Sequence, residues 1–408
     1  MTCLPLRGTR ILAAINGLEL FGHQRGNIEV LKTLRESGAD IRVGVEVAEE
    51  GGAVGAELRR FGFDTLLLPF GCQWSRQWLA QDPRDLWRKT AAVARCSRRF
   101  HAAMRGMRPT HLYIGSPLTF SYLCLALAAS RVPLVYRMGD CPPVDSPFNL
   151  RIWRLAAMRS ARIVANSGFV RRSAIAAGAP PQRVSVIYGV APSTGPVAAD
   201  TAHAGASATG RCKRLVYVGQ FSEHKGIRVL VQALSILAKR FPDLGLDVVG
   251  ESRYEGAFRR EIEELVHTLG LAGAVSLVGQ VADPSRFYRE AAVHVAPSIW
   301  EEPLANVVLE AKREGIPSVV FRAGGLPEVV RHGVDGVICE ERTPESLASG
   351  LAWLLEDDER CRAAGRAARE DYVRRFGPER FAREWTAVFL DDAPPVLGDS
   401  LVDGGAAP

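Results

Sequence analysis

Residues 214–234, RLVYVGQFSEHKGIRVLVQAL, hold one complete strand–loop–helix unit. Arg214 to Val218 form a short apolar run of strand character; a polar loop follows; from Ile227 the apolar residues recur at helical spacing. The same unit repeats downstream around LGLDVVG, AVSLVGQ, VHVAPS, PSVVF and GVICE, and upstream around RILAAI, IRVGVEV, DTLLLPF, HLYIG, PLVYRMG, RIVANS and RVSVIYG. Apolar strands alternating with helices imply a parallel sheet covered on both faces. Between the two series lies APSTGPVAADTAHAGASATGRCK (191–213), rich in small residues and without periodicity, which reads as a linker. The expected architecture is α/β, with two doubly wound Rossmann-like domains facing across a cleft. The first domain is expected at residues 1–191, a linker at 192–212 and the second domain at 213–375. A helix at 376–391 is expected to cross back to the first domain, followed by a disordered tail at 392–408.

Length and composition agree with two soluble domains. The chain has 408 residues, 47% hydrophobic and 24% charged. No apolar run is long enough to span a bilayer, and RILAAI is too short for the core of a signal peptide, so a cytoplasmic location is expected. The eight cysteines are scattered without a CxxC pair, which points to reduced thiols rather than zinc or redox motifs. Charge is uneven. Residues 1–191 carry 26 Lys and Arg against 13 Asp and Glu, whereas residues 192–408 carry 25 against 32. A basic half beside an acidic one suggests an anionic partner for the first, or a solvated arginine-rich surface.

Cofactor motifs are missing. Neither first strand is followed by GxGxxG, and no GxxxxGK[ST] loop occurs, so no cofactor is expected. Lys225 and Gly226 at a helix start offer an anion site, because free N–H groups and the helix dipole add to the lysine charge. The second informative stretch is WEEPLANVVLEAKREG (300–315). Pro303 fits the first helical position. That would leave Glu302 just outside the helix and the N–H groups of Leu304, Ala305 and Asn306 free. Glu310 would lie two turns on, roughly 10 Å along the axis. Two carboxylates so spaced can bracket a ligand with hydroxyls at both ends and an anionic middle; alternatively, Glu310 pairs with Arg313 and Glu302 is solvated.

The segment APSIWEEPLANVVLEAKREGIPSVV, with AGGLPEVVRHGVDGVI after it, resembles the nucleotide-sugar domain of the retaining glycosyltransferases of family 4, which have the GT-B fold. Glu302 and Glu310 match that family's E-x7-E signature, VGQFSEHKG resembles its phosphate-contacting loop, and NSGFVRRSAIAAGAPPQRVSVIYGV resembles the end of its first domain. The resemblance implies a metal-independent hexosyltransferase using a UDP- or GDP-sugar, with transfer to a hydroxyl acceptor in polysaccharide or glycolipid assembly. Lys225 would neutralise the departing diphosphate and Glu310 would bind the ribose hydroxyls. Glu302, with the N–H groups of Leu304, Ala305 and Asn306, would hold the donor sugar, and Gly324 and Gly325 would let backbone approach the ligand. The nucleotide base would sit against backbone near VGQVADPS.

The sequence departs from the family in places. Gln220 stands where an arginine is common; Arg228 or Arg253 are candidates to replace it. Tyr188-Gly189 replaces Asn-Gly, and Leu304-Ala305 replaces Phe-Gly. The first-domain histidine of many relatives is absent, leaving Ser116, Arg137 and Asp140 in YIGSPLT and YRMGDCPP. Asp140 is the candidate acceptor-facing group, or else the cap of the next turn; His23 and Arg25 are candidate cleft residues. Other expectations of the same fold are a nucleotide-sugar epimerase and a non-catalytic nucleotide-sugar-binding protein. Residues 74–108 combine three tryptophans with basic residues that include Arg88, Lys89, Arg95, Arg98, Arg99, Arg105 and Arg108, which suits a peripheral contact with an anionic membrane and a lipid-linked acceptor. Ala91, Ala92, Val93, Ala94, Phe100, Ala103 and Met104 would supply its apolar surface. The alternative is that these pack on the sheet and the arginines are solvated. No nucleic-acid partner is expected.

Overall fold

The computed structural model describes residues 6–20, 22–46, 52–70, 83–191, 213–250 and 256–390. The expected linker and tail, Trp74, Trp78 and Arg253 lie outside them. The chain divides into two compact units, one running to Tyr188 and resuming at Pro378, the other spanning Gly189–Gly377.

In the first unit, β1 (Arg10–Ala14), α1 (Gly22–Glu36), β2 (Asp40–Glu46), α2 (Gly52–Arg60), β3 (Asp64–Leu68), α3 (Pro83–Met107), β4 (His111–Ile114), α4 (Pro117–Ala128), β5 (Leu134–Met138), α5 (Pro147–Arg159), β6 (Arg162–Ala165), α6 (Gly168–Ala176) and β7 (Val184–Val186) alternate in chain order. All pairings are parallel, and the strand order is β3-β2-β1-β4-β5-β6-β7. The inner strands are largely buried, as a sheet covered on both faces requires, and the edge strands β3 and β7 are more exposed. Serines open three of the helices. Ser116, Ser146 and Ser167 each accept a hydrogen bond from the N–H three residues on, satisfying a donor the helix cannot.

The second unit repeats the plan with β8 (Arg214–Val218), α7 (Ile227–Ala238), β9 (Gly245–Val249), α8 (Gly256–Thr268), β10 (Val275–Gly279), α9 (Ser285–Glu290), β11 (Val293–Ala296), α10 (Asn306–Arg313), β12 (Ser318–Phe321), α11 (Leu326–Val329), β13 (Gly336–Cys339), α12 (Pro344–Leu355) and α13 (Asp358–Asp371). Its order is β10-β9-β8-β11-β12-β13, again all parallel. In each sheet the order reverses once, between β1 and β4 and between β8 and β11. The carboxyl ends of those strand pairs are where such folds bind ligands.

The helical stretch from Pro344 is not continuous. It breaks at Glu356 and passes through a π-helical turn at Tyr372–Phe376, ending as α14 (Pro378–Phe389). α14 packs in the first unit: Trp385 lies 6.3 Å from the Tyr113 ring and Phe389 5.2 Å from His111. Arg380 Nη2 donates to the Tyr188 carbonyl at 2.9 Å. In the second unit the π turn is tied to α10 by a buried ion cluster. Lys312 Nζ sits 2.9 Å from Asp335 and 2.8 Å from Asp371, all three fully buried. Such a cluster fixes geometry rather than adding much net stability, because desolvation offsets the attraction.

Candidate functional site

The second unit gathers its polar residues where the strand order reverses. After β8 the chain runs through Gly219, Gln220, Phe221 and Ser222 into a single 3-10 turn, Glu223–Lys225. Gly226 then takes a left-handed φ of 77° and serves as N-cap of α7. Any Cβ there would collide with the Pro297 carbonyl, so only glycine brings Lys225 this close to the end of β11. After β11 come Ser298, Trp300 and Glu302. Glu302 is buried to 7% exposure, and its Oε2 accepts from Lys225 Nζ at 2.6 Å, Ser298 Oγ at 3.0 Å and Trp300 Nε1 at 3.1 Å. The Lys225 ammonium also lies 5.7 Å from the Trp300 ring, whose other neighbour is His224 at 5.2 Å. Three donors on one carboxylate oxygen hold the buried charge, as a desolvated carboxylate requires.

The helix after Glu302 differs from the sequence expectation. Pro303 is not its first residue: α10 begins at Asn306, with Ala305 as N-cap. Leu304 and Ala305 therefore precede the helix, both buried, and Glu302 and Glu310 do not share one continuous helix. The cause is the Gly324-Gly325 pair. Gly325 N–H donates to the Glu302 carbonyl at 2.7 Å, and Gly324 N–H donates to Glu301 Oε2 at 2.6 Å. These bonds hold 301–302 outside the helix. Gly324 has φ 56°, and a Cβ would sit 2.7 Å from the Glu302 nitrogen. Gly324 thus admits the backbone of Glu302 itself. The N–H groups of Leu304 and Ala305 have no acceptor among the described residues.

Glu310 lies on the second turn of α10. Tyr288, fully buried on α9, donates its hydroxyl to Glu310 Oε2 at 3.1 Å and lies 3.3 Å from the Val307 carbonyl. Burial, then the Glu310 charge, push the Tyr288 hydroxyl well above its ordinary range, so it stays a donor. Arg313 bonds Glu314 at 3.1 Å and Ser285 at 3.4 Å. Gln220 offers its carbonyl to the Tyr217 hydroxyl at 2.7 Å. Arg228, a candidate to replace the missing arginine, is turned to Glu261 at 2.7 Å over the Phe258 ring.

Sequence reasoning missed several members of this cluster. Glu301 is paired with Arg342, and its carboxyl is held low by that bond, against burial, with help from the Gly324 N–H. Arg342 also donates to the Ile299 carbonyl at 2.7 Å. Nothing local in the sequence links residue 342 to 301. The Trp300 indole was legible as the neighbour of two glutamates, but not as a donor to one.

In the first unit, Asn16 follows β1 and Ser116 follows β4. Thr119 Oγ1 donates to Asn16 Oδ1 at 2.9 Å, and Ser116 Oγ donates to the same atom. Asp140 sits exposed on the bend after β5. His23 lies on the first turn of α1, its pKa lowered to about 3 by burial and then by the Arg137 charge. Arg25 is exposed and donates to the Leu20 carbonyl at 3.2 Å. On α3, the expected apolar surface is not available to a membrane: Phe100, Ala103 and Met104 are buried in the core with Ala92 and Val93 against them. Trp87 is 72% exposed and the arginines 88, 95, 98, 99 and 105 are exposed. Lys89 is buried.

This pair of doubly wound units defines the GT-B fold. Residues 22–189 match the family model "Glycosyl transferase 4-like domain", and residues 202–371 match "Glycosyl transferases group 1". The chain is 32% identical over 182 residues to a D-inositol 3-phosphate glycosyltransferase of Corynebacterium kroppenstedtii, covering 43% of this chain and 40% of that one. It is 29% identical over 180 residues to an uncharacterized glycosyltransferase of Haemophilus influenzae, covering 43% and 48%. The matched region spans about half the length of such curated relatives. Among solved structures, HepE of Anabaena in complex with UDP superposes with a TM-score of 0.76 at 22% identity, covering 94% of this chain and all of that one. A glycosyltransferase of Rickettsia africae gives 0.76 at 18% identity, covering 97% and 99%.

Proposed function

We propose that this chain is a retaining, metal-independent glycosyltransferase that moves a hexosyl unit from a UDP- or GDP-sugar to a hydroxyl acceptor. The observation that carries this reading is the Lys225–Glu302 pair at the strand-order reversal of the second unit, with Glu310 on the helix that follows. Matches of both halves to glycosyl transferase family models support it.

In the proposed reaction the bond between the sugar's anomeric carbon and the diphosphate oxygen breaks, and the nucleoside diphosphate departs with the electron pair. The acceptor hydroxyl oxygen bonds the anomeric carbon from the same face, and its proton ends on the departing phosphate. Lys225 supplies the cation for the charge that develops on that phosphate, joined by the N–H groups of Leu304 and Ala305. Fixed donors cost no reorganisation as the charge forms. Glu302 accepts from donor-sugar hydroxyls, and its pairing with Lys225 keeps both side chains placed before the donor arrives. Glu310 accepts from the ribose hydroxyls. Asp140 remains the proposed acceptor-facing group.

We also propose peripheral contact with anionic lipid. Residues 86–189 carry sixteen Lys and Arg and only two acids, Asp140 and Asp145. The outer face of α5 exposes Phe148, Arg151, Leu155 and Met158 at helical spacing. No helix among the described residues is long and apolar enough to cross a membrane. The test of the enzymatic reading is incubation of purified protein with several UDP- and GDP-sugars. Release of UDP or GDP supports the transferase; a changed sugar still attached to its nucleotide identifies an epimerase; binding without release identifies a binding protein.

A further inference from the structure

The first unit contains a buried cation for which the reaction above has no use. Arg137, at the carboxyl end of β5, is 6% exposed. Among the described residues its guanidinium makes one long hydrogen bond, Nη1 to the His23 carbonyl at 3.4 Å, and no Asp or Glu oxygen lies within ion-pair distance. Its charge is desolvated, and Tyr113 and then Asp140 act on it only through space. Leaving a buried guanidinium without an anion is costly, since neither water nor a carboxylate repays the lost hydration.

The surroundings are shaped around this group. A Cβ on Gly26 would collide with Nη2, and one on Gly139 would sit 3.0 Å from Nη1 and 2.5 Å from His23 Nδ1. His23 Nδ1 is itself buried and has no partner. Two neighbouring polar side chains are already paired. Asn27 Nδ2 donates to the His23 carbonyl at 3.0 Å, and the Tyr113 hydroxyl donates to Asn27 Oδ1 at 2.6 Å. Arg137 Nη1, with its single long bond, and the unpartnered His23 Nδ1 thus both lie against Gly139, in the sheet whose strand order reverses between β1 and β4.

We infer that Arg137 anchors an oxyanion subsite in the first unit, beside the neutral His23 imidazole, and that the acceptor carries a phosphate or carboxylate that docks there. Arg137 supplies the charge and a two-pronged donor set; the His23 ring, uncharged at neutral pH, leaves that charge uncontested. The naming of the anion as part of an acceptor rests on the glycosyltransferase reading; the subsite itself does not.

The probes are inorganic phosphate and acetate, titrated against chloride at constant ionic strength, with thermal unfolding of the full chain as readout. Phosphate or acetate at about ten times its Kd should raise the melting temperature of wild type by about 2–4 °C. Phosphate alone acting points to a phosphate-bearing acceptor, acetate alone to a carboxylate. Lys225→Ala should keep the shift, which separates this site from the donor site. Arg137→Gln should lose it and Arg137→Lys should keep part of it. UDP titration of the same variants reports that the second unit is folded and tests the donor reading on its own. A wild type no more stabilised by either anion than by chloride, or an equal shift in Arg137→Gln, overturns the subsite whatever the UDP result.

Discussion

Lys225 Nζ lies 2.6 Å from Glu302 Oε2, joining two loops 77 residues apart at the ends of β8 and β11. Without a donor the two charges satisfy each other. A diphosphate arriving beside Lys225 shares its cation, and a sugar hydroxyl arriving at Glu302 replaces a donor that Lys225 no longer gives fully. The pair therefore links leaving-group stabilisation to sugar positioning. Lys225→Ala removes one preorganised donor at a developing charge and should lower turnover by about two to three orders of magnitude. Steady-state release of nucleoside diphosphate measures this; a loss below tenfold would remove Lys225 from the reaction. Gln220→Arg should raise turnover or donor affinity if the absent arginine limits the enzyme.

A second prediction concerns pH. His294 is fully buried in β11, with Nδ1 3.0 Å from Ser318 Oγ and Nε2 without a partner. Burial lowers its pKa to about 3. The unfolded chain takes up this proton near pH 6.5, whereas the folded chain does not until about pH 3. Stability is therefore full above pH 6.5 and declines as pH falls toward 3, by about 1.4 kcal/mol per unit for this group. His23 acts in the same direction. His294→Gln keeps a partner for Ser318 without the titration, so urea unfolding between pH 6.5 and 4.5 should show a shallower slope. An unchanged slope would mean that His294 is not the group responsible.

The membrane proposal separates two sources of binding. Co-sedimentation with anionic vesicles should occur at low salt and weaken at moderate salt, as exposed charges are screened. Replacing Phe148, Leu155 and Met158 with Ser should weaken it at both salt concentrations, because these residues insert apolar surface. Absence of binding to anionic vesicles at low salt would exclude the contact and favour a soluble acceptor.

The strands were readable because buried parallel strands leave short apolar runs between turn residues, and thirteen such runs became thirteen strands among the described residues. Helix starts were less legible. Pro303 is a good first helical residue, yet the Gly325 N–H draws the Glu302 carbonyl away and delays the helix to Asn306. That bond spans 23 residues and leaves no local trace. The same holds for Arg342 with Glu301 and for Tyr288 with Glu310. Helix α3 shows the converse difficulty. Its arginine spacing is plain, but whether Phe100 faces core or solvent is decided by the sheet beneath it.

Calorimetric titration of UDP and GDP into wild type, Glu310→Ala and Glu302→Ala tests the central claim most directly. Ribose contacts exist without a sugar, so Glu310→Ala should weaken binding of the bare nucleotide by about tenfold or more, the worth of a hydrogen bond to a charged group. Glu302, whose assigned partner is the sugar, should be dispensable for it, so Glu302→Ala should bind like wild type. If neither nucleotide binds wild type, or if Glu310→Ala binds both as tightly as wild type, the donor site is not where Lys225, Glu302 and Glu310 place it.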